Sequence, residues 1–159
     1  FLSRLGSEPL SAAERGELSR VAVDLLGYLA DGRRSTVFDL RPAEAGLHSA
    51  IQIPKLADGA IYALSAIATT SAQDRLATTA LQPDLGAETR ELAASHLAFH
   101  IQKHGVLLDR TRVEQLKQGH AEESEAAVKS SLAAVLGTLG PSPARIGQRL
   151  RVLPLPAPQ

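Results

Sequence analysis

The stretch ASHLAFHIQ, residues 94–102, recurs in outline as VDLLGYLAD (23–31), IYALSAIAT (61–69) and AAVLGTLGP (133–141). With Leu26, Leu64, Leu97 and Leu136 as a common origin, the next residue is small in every copy: Gly27, Ser65, Ala98 and Gly137. Three residues beyond the leucine stand Leu29, Ile67, His100 and Leu139; four before it stand Ala22, Ala60, Ala93 and Leu132. These offsets fall on one stripe of a helix with 3.6 residues per turn. The small residue after the leucine is expected to let a neighbouring helix approach closely. The leucines are 38, 33 and 39 residues apart, a period typical of two-helix units that stack to share a continuous core.

Each such unit needs a partner helix, and candidates precede the last three leucines. RPAEAGLHSAI (41–51) carries Pro42, suited to a first helical turn. SAQDRLATTAL (71–81) has Ser71 and Asp74 at capping-box spacing, and DRTRVEQLKQG (109–119) has Thr111 and Glu114 likewise, with Gly119 as a stop. Ser11 and Glu14 mark a start for the first long helix. QPDLGAE (82–88) and QGHAEES (118–124) read as the short polar turns of helical hairpins. DGRRSTVFDLRP (31–42) interrupts the pattern and reads as an extended connection, with room for one short strand, that lays Val37, Phe38 and Leu40 on the helices. After a final short helix, Pro154, Pro156 and Pro158 favour polyproline conformation over 151–159, as a linker or a docking peptide.

Composition agrees with helices. Of 159 residues 44% are apolar, mainly Ala and Leu, and only 3% are aromatic. Lys and Arg number 17, as do Asp and Glu, and neither half of the chain is polarised. That balance disfavours a nucleic-acid partner, which calls for a basic face; the cluster Arg145, Arg149 and Arg151 reads as a solvated helix face. The absence of cysteine removes disulfides and thiolate chemistry. No apolar run approaches the ~20 residues of a membrane span. Because the chain opens FLSRL rather than with Met, and shows no signal-peptide pattern, it is expected to be an excised or processed piece of a longer protein.

The stretch ALSAIATTSAQDRLATTALQPDLGAETRELAASHLAFHI (63–101) resembles a HEAT-type repeat, in particular the short bacterial kind related to phycobilisome-lyase repeats. The matching features are a leucine–small–x–aliphatic helix end, a helix reaching Ala80 and Leu81, a polar turn, then Arg90 and Ala93-Ala94. The resemblance extends over most of residues 12–140. It implies an all-α, right-handed α-solenoid of about three to four stacked antiparallel helix pairs, armadillo-like, spanning 12–150 as one domain. It further implies a concave surface, lined by the second helices, that contacts macromolecules. Nothing in the chain supports the lyase chemistry of some relatives.

Five histidines invite a metal reading, since His96, His100 and His104 follow one another at four-residue spacing. Only His48 and His120 remain as further histidine ligands, HExxH is absent, and His100 occupies a column that is Leu, Ile and Leu elsewhere. His96 and His100 are therefore weak metal candidates. His100 is expected to be buried, hydrogen-bonded and neutral near pH 7. The aromatic residues are better site candidates. Tyr28 and Phe99 lie two residues after the leucine and Tyr62 two before it, offsets that point away from the core stripe. They form the expected partner-binding set, unless the 31–42 insertion or a terminal segment covers them. Asp24, Asp84, Glu88 and Glu91 lie in no catalytic frame, and no GxSxG, GxxxxGK[ST] or GxGxxG is present. The expected function is thus a non-catalytic scaffold without cofactor, binding protein partners or other domains of its parent. A DNA-binding helical-repeat module is the alternative, and a metal site the least favoured.

Overall fold

Leucine and alanine recurring every three to four residues produce helices and nothing else in the part of the chain the structure describes. The computed structural model describes residues 40–140, together with Ser11 and Val21. Among these residues a 3-10 turn, Arg41–Ala43, leads into six α-helices: α1 (Glu44–Ala50), α2 (Pro54–Ser65), α3 (Thr70–Leu81), α4 (Ala87–His104), α5 (Arg110–Glu122) and α6 (Ala126–Thr138). The protein is all-α over this span, with no strand among the described residues. Most of the 31–42 insertion, the helix expected around Leu26, the Arg145–Arg151 cluster and the 151–159 tail lie outside the described residues.

The helices form two rows. In one row α4 packs against α2 on one side and α6 on the other. In the second, α3 packs on α5, and side chains join it to α1. Across the rows α1 pairs with α2, α3 with α4 and α5 with α6. These are the three helix pairs expected from the last three leucines.

Close packing rests on small residues. Ala60 of α2, Ala77 and Ala80 of α3, and Ala93 and Ala94 of α4 are all fully buried, and short side chains at facing positions let helix axes approach. Leu64, Leu76, Leu97 and Leu116 fill the space between them at 0% exposure. Burying each such side chain contributes about 1.5–3 kcal/mol. Ser65 and Ala98, the small residues after the repeat leucines, are buried as well.

The last copy of the repeat departs from the expected register. On α6 the buried row is Val128, Leu132 and Val135, while Leu136 and Leu139 are only partly buried against the core. Gly137 is exposed and a methyl there would meet no described residue, so among the described residues it serves no close approach. The buried stripe of α6 is therefore turned by about one residue from the expected one.

Helix ends also differ in detail from the expected ones. Thr69, not Ser71, caps α3: its hydroxyl accepts the Ala72 N–H at 3.1 Å and donates to the Glu44 carboxylate at 3.0 Å. Asp109, not Thr111, caps α5 by accepting the Arg112 N–H at 2.7 Å. The carboxylates expected to complete the capping boxes bind cations instead, Asp74 to Arg112 and Glu114 to Lys117. Gly119 does not stop α5, which runs on to Glu122. It lies beneath α3, where a methyl would run into the Leu81 side chain. The α5–α6 connection is therefore residues 123–125 rather than 118–124. The helix expected over 41–51 opens as a 3-10 turn, Arg41–Ala43, with Pro42 near its start, so the expected extended connection does not reach Arg41 and Pro42.

Polar ties link successive pairs. Arg112 of α5 grips Asp74 of α3 through two bonds, 2.6 and 3.0 Å. Arg90 of α4 holds Glu123 beyond α5 at 2.7 Å. The Arg75 guanidinium of α3 donates to the His48 carbonyl of α1 at 2.8 Å. The Glu125 N–H and the Arg90 guanidinium together keep the Glu123 carboxyl below its ordinary pKa.

Candidate interaction face and a buried polar junction

Helix α4 presents its two faces to different environments, and the site residues divide between them. On the outer face, Phe99 is 51% exposed and Tyr62 of α2 is 40% exposed. The Tyr62 ring meets His96 edge-on, with centroids 4.3 Å apart. His96 and Phe99 are three residues apart and so neighbours on the helix surface; one turn further, the Lys103 ammonium stands 5.9 Å from the Phe99 ring. Tyr62, His96, Phe99 and Lys103 thus form one continuous aromatic and cationic surface. Tyr28 lies outside the described residues. Burial lowers the pKa of His96, and its Nδ1 has no hydrogen-bond partner among the described residues. A neutral imidazole therefore extends the apolar character of this surface.

The inner face carries His100, fully buried where the other repeats place an aliphatic residue. Both of its ring nitrogens are engaged. Nε2 lies 2.8 Å from the Ile67 carbonyl, which can only accept, so Nε2 carries the proton. Nδ1 lies 2.8 Å from Nε2 of Gln73, which can only donate. Gln73, itself 0% exposed, satisfies all of its amide. Its Oε1 accepts the N–H groups of Leu107 at 2.7 Å and Leu108 at 3.0 Å. Its Nε2 also donates to the Gly105 carbonyl at 3.0 Å. Gly105 ends α4 with φ of 80°, a left-handed backbone that glycine adopts without strain.

Gln73 was not singled out from the sequence, although a signal is present. It falls on the row Gln73, Leu76, Ala77, Ala80, the buried stripe of α3. A lone amide on such a stripe must find partners or incur a cost of about 1–3 kcal/mol for each group left unpaired. Those partners lie 27 to 35 residues away, beyond what local periodicity reveals.

His100 is not free to ligate a metal. His100 has no free nitrogen, and the His104 ring leans on it at 4.6 Å between centroids. Among the described residues no three His, Cys, Asp or Glu side chains cluster to hold an ion. His48 stands apart on α1 with Nε2 3.7 Å from Glu44, and His120 lies in the last turn of α5. Of the acids considered from the sequence, Asp84 and Glu88 are exposed and Glu91 half-buried; Asp24 is outside the described residues. Glu88 sits in the first turn of α4, where a negative charge favours the helix dipole.

No helix among the described residues is long and apolar enough to cross a membrane. Comparison with protein-family models, curated proteins and solved structures finds no match to this chain.

Proposed function

We propose that this chain is a non-catalytic interaction module of a larger protein, a HEAT-like right-handed solenoid that offers its second helices to a protein partner. The observation that carries this reading is the exposed surface of Tyr62, His96, Phe99 and Lys103 across α2 and α4. Aromatic side chains on a rigid, pre-ordered helix face are the usual anchors of protein interfaces, because ordering them costs little entropy. The two rows of helices support the solenoid reading: each second helix lies beside the next, as stacking of repeats requires.

The test uses the full-length protein. Its native partner is identified by copurification, and affinity is then measured for the wild type and for the double variant Tyr62→Ala, Phe99→Ala. The expected outcome is at least a ~10-fold loss of affinity with helicity retained and only a small change in melting temperature, since neither side chain belongs to the hydrophobic core. Wild-type affinity in the double variant would overturn the assignment of this face.

A further inference from the structure

The junction between Gln73 and His100 has only one hydrogen-bonding solution. Oε1 of Gln73 faces two backbone N–H groups, so its Nε2 must face His100, and Nδ1 of His100 must be an unprotonated acceptor. A proton on Nδ1 would set two donors face to face in a site closed to water. Relief requires the Gln73 amide to turn over and present Oε1 to His100. That turn removes the acceptor from Leu107 and Leu108 and the donor from the Gly105 carbonyl.

We propose that the Gln73–His100 contact is an acid-sensitive latch, holding the connection between α4 and α5 closed only while His100 is neutral. The same imidazole also holds the Ile67 carbonyl, between α2 and α3, through an Nε2–H that both protonation states keep, so the change on protonation is confined to Nδ1 and Gln73. The titratable groups that act on His100 are His104 and Lys103, both on α4; burial and Lys103 lower the pKa of His104 too, so it adds its charge only in acid. Among the described residues, α2, α3, α6 and the 105–109 connection present no other that does so. His104 and Lys103 both oppose a second positive charge. Burial above all, then these two neighbours, lower the pKa of His100, against the raising effect of the Ile67 carbonyl. An opened site would take up a proton near the ordinary histidine value of about 6.5, whereas the closed site resists it. The closed form is therefore at full strength above about pH 6.5 and weakens as pH falls below it toward the lowered pKa.

Amide hydrogen exchange, followed by NMR between about pH 7.5 and pH 4.5 and corrected for intrinsic rates, tests this. Protection at Leu107 and Leu108 should fall by about tenfold per pH unit once His100 begins to charge, the signature of a one-proton opening. Amides within α4, such as that of Leu97, should keep their protection over the same range. Protection at Leu107 and Leu108 that is flat with pH, or that is lost in step with Leu97, would overturn the latch. His100→Leu, which restores the aliphatic residue of that column, should abolish the pH dependence; a wild-type profile in H100L would also overturn it. A reading independent of any variant comes from the nitrogen shifts of His100 in the wild type. They should report a neutral Nε2–H tautomer at the upper pH, titrating where the loop opens. A protonated His100 with the loop still protected would contradict the proposal.

Discussion

Helices α4 and α5 follow one another in the chain yet are held by different physics. Helix α4 buries Ala93, Ala94, Leu97, Ala98, His100 and Ile101 and packs against three other helices. Helix α5 buries Leu116 alone and relies on its Asp109 cap, the paired bonds of Arg112 to Asp74, and the close fit of Gly119 under Leu81. One helix is secured by area removed from water, the other by a few directed contacts at its start and on one side. Hydrophobic burial spreads over many atoms and is not screened by salt as charges are, whereas ion pairs near the surface are screened and individually weak. The α4 region is thus expected to unfold with the whole core, and α5 to open first.

Three substitutions, from largest to smallest effect, would break or sharpen this contrast. Leu97→Ala on α4 should lower the unfolding free energy by about 2–5 kcal/mol, seen as one cooperative shift in thermal or urea melting. An unchanged melting point would remove Leu97 from the core and the repeat register with it. Asp109→Ala should cost about 1 kcal/mol and raise amide exchange within α5 more than within α4. Equal acceleration in both would show that α5 opens only with the rest. Asp74→Asn leaves Arg112 without its carboxylate and should cost about 0.2–1 kcal/mol at low salt. The loss should shrink as salt is added to the wild type, because screening removes the same attraction; a difference that salt leaves untouched would mean the aspartate acts through something other than charge.

The sequence made the α4 half of the contrast legible and much of the α5 half not. Ala60, Leu64, Ala93, Leu97 and the inward placement of His100 follow from a 3.6-residue period, which depends only on which face meets a neighbour. The exposure of Tyr62 and Phe99 follows from the same wheel. Periodicity selects a stripe and not the innermost residue within it: α6 places Val135 rather than Leu136 innermost. It also says nothing about which of several nearby polar residues takes a cap, and Thr69 and Asp109 prevailed over Ser71 and Thr111. Gly119 was misread because a glycine that ends a helix and one that admits a neighbouring side chain look alike in one dimension. The buried role of Gln73 depends on a turn some thirty residues distant, which no local window contains.

That turn has a consequence for how the chain can vary. The amides of Leu107 and Leu108 are satisfied by a single side chain anchored on α3, and Gly105 is held by the same group. A side-chain amide presents its donors and acceptor at fixed separations, so the segment from Gly105 to Leu108 is measured against Gln73 as against a gauge. Adding or removing one residue there would carry both N–H groups past the only acceptor they have, in contrast to the usual tolerance of surface connections for changes in length. The connection at 123–125 is tied in a comparable way, by Arg90 on Glu123 and by the Glu123 carboxylate on the Glu125 N–H, whereas no side chain from another described element is seen to hold 82–86. Variation in loop length in this protein should accordingly collect at 82–86 and spare 105–108.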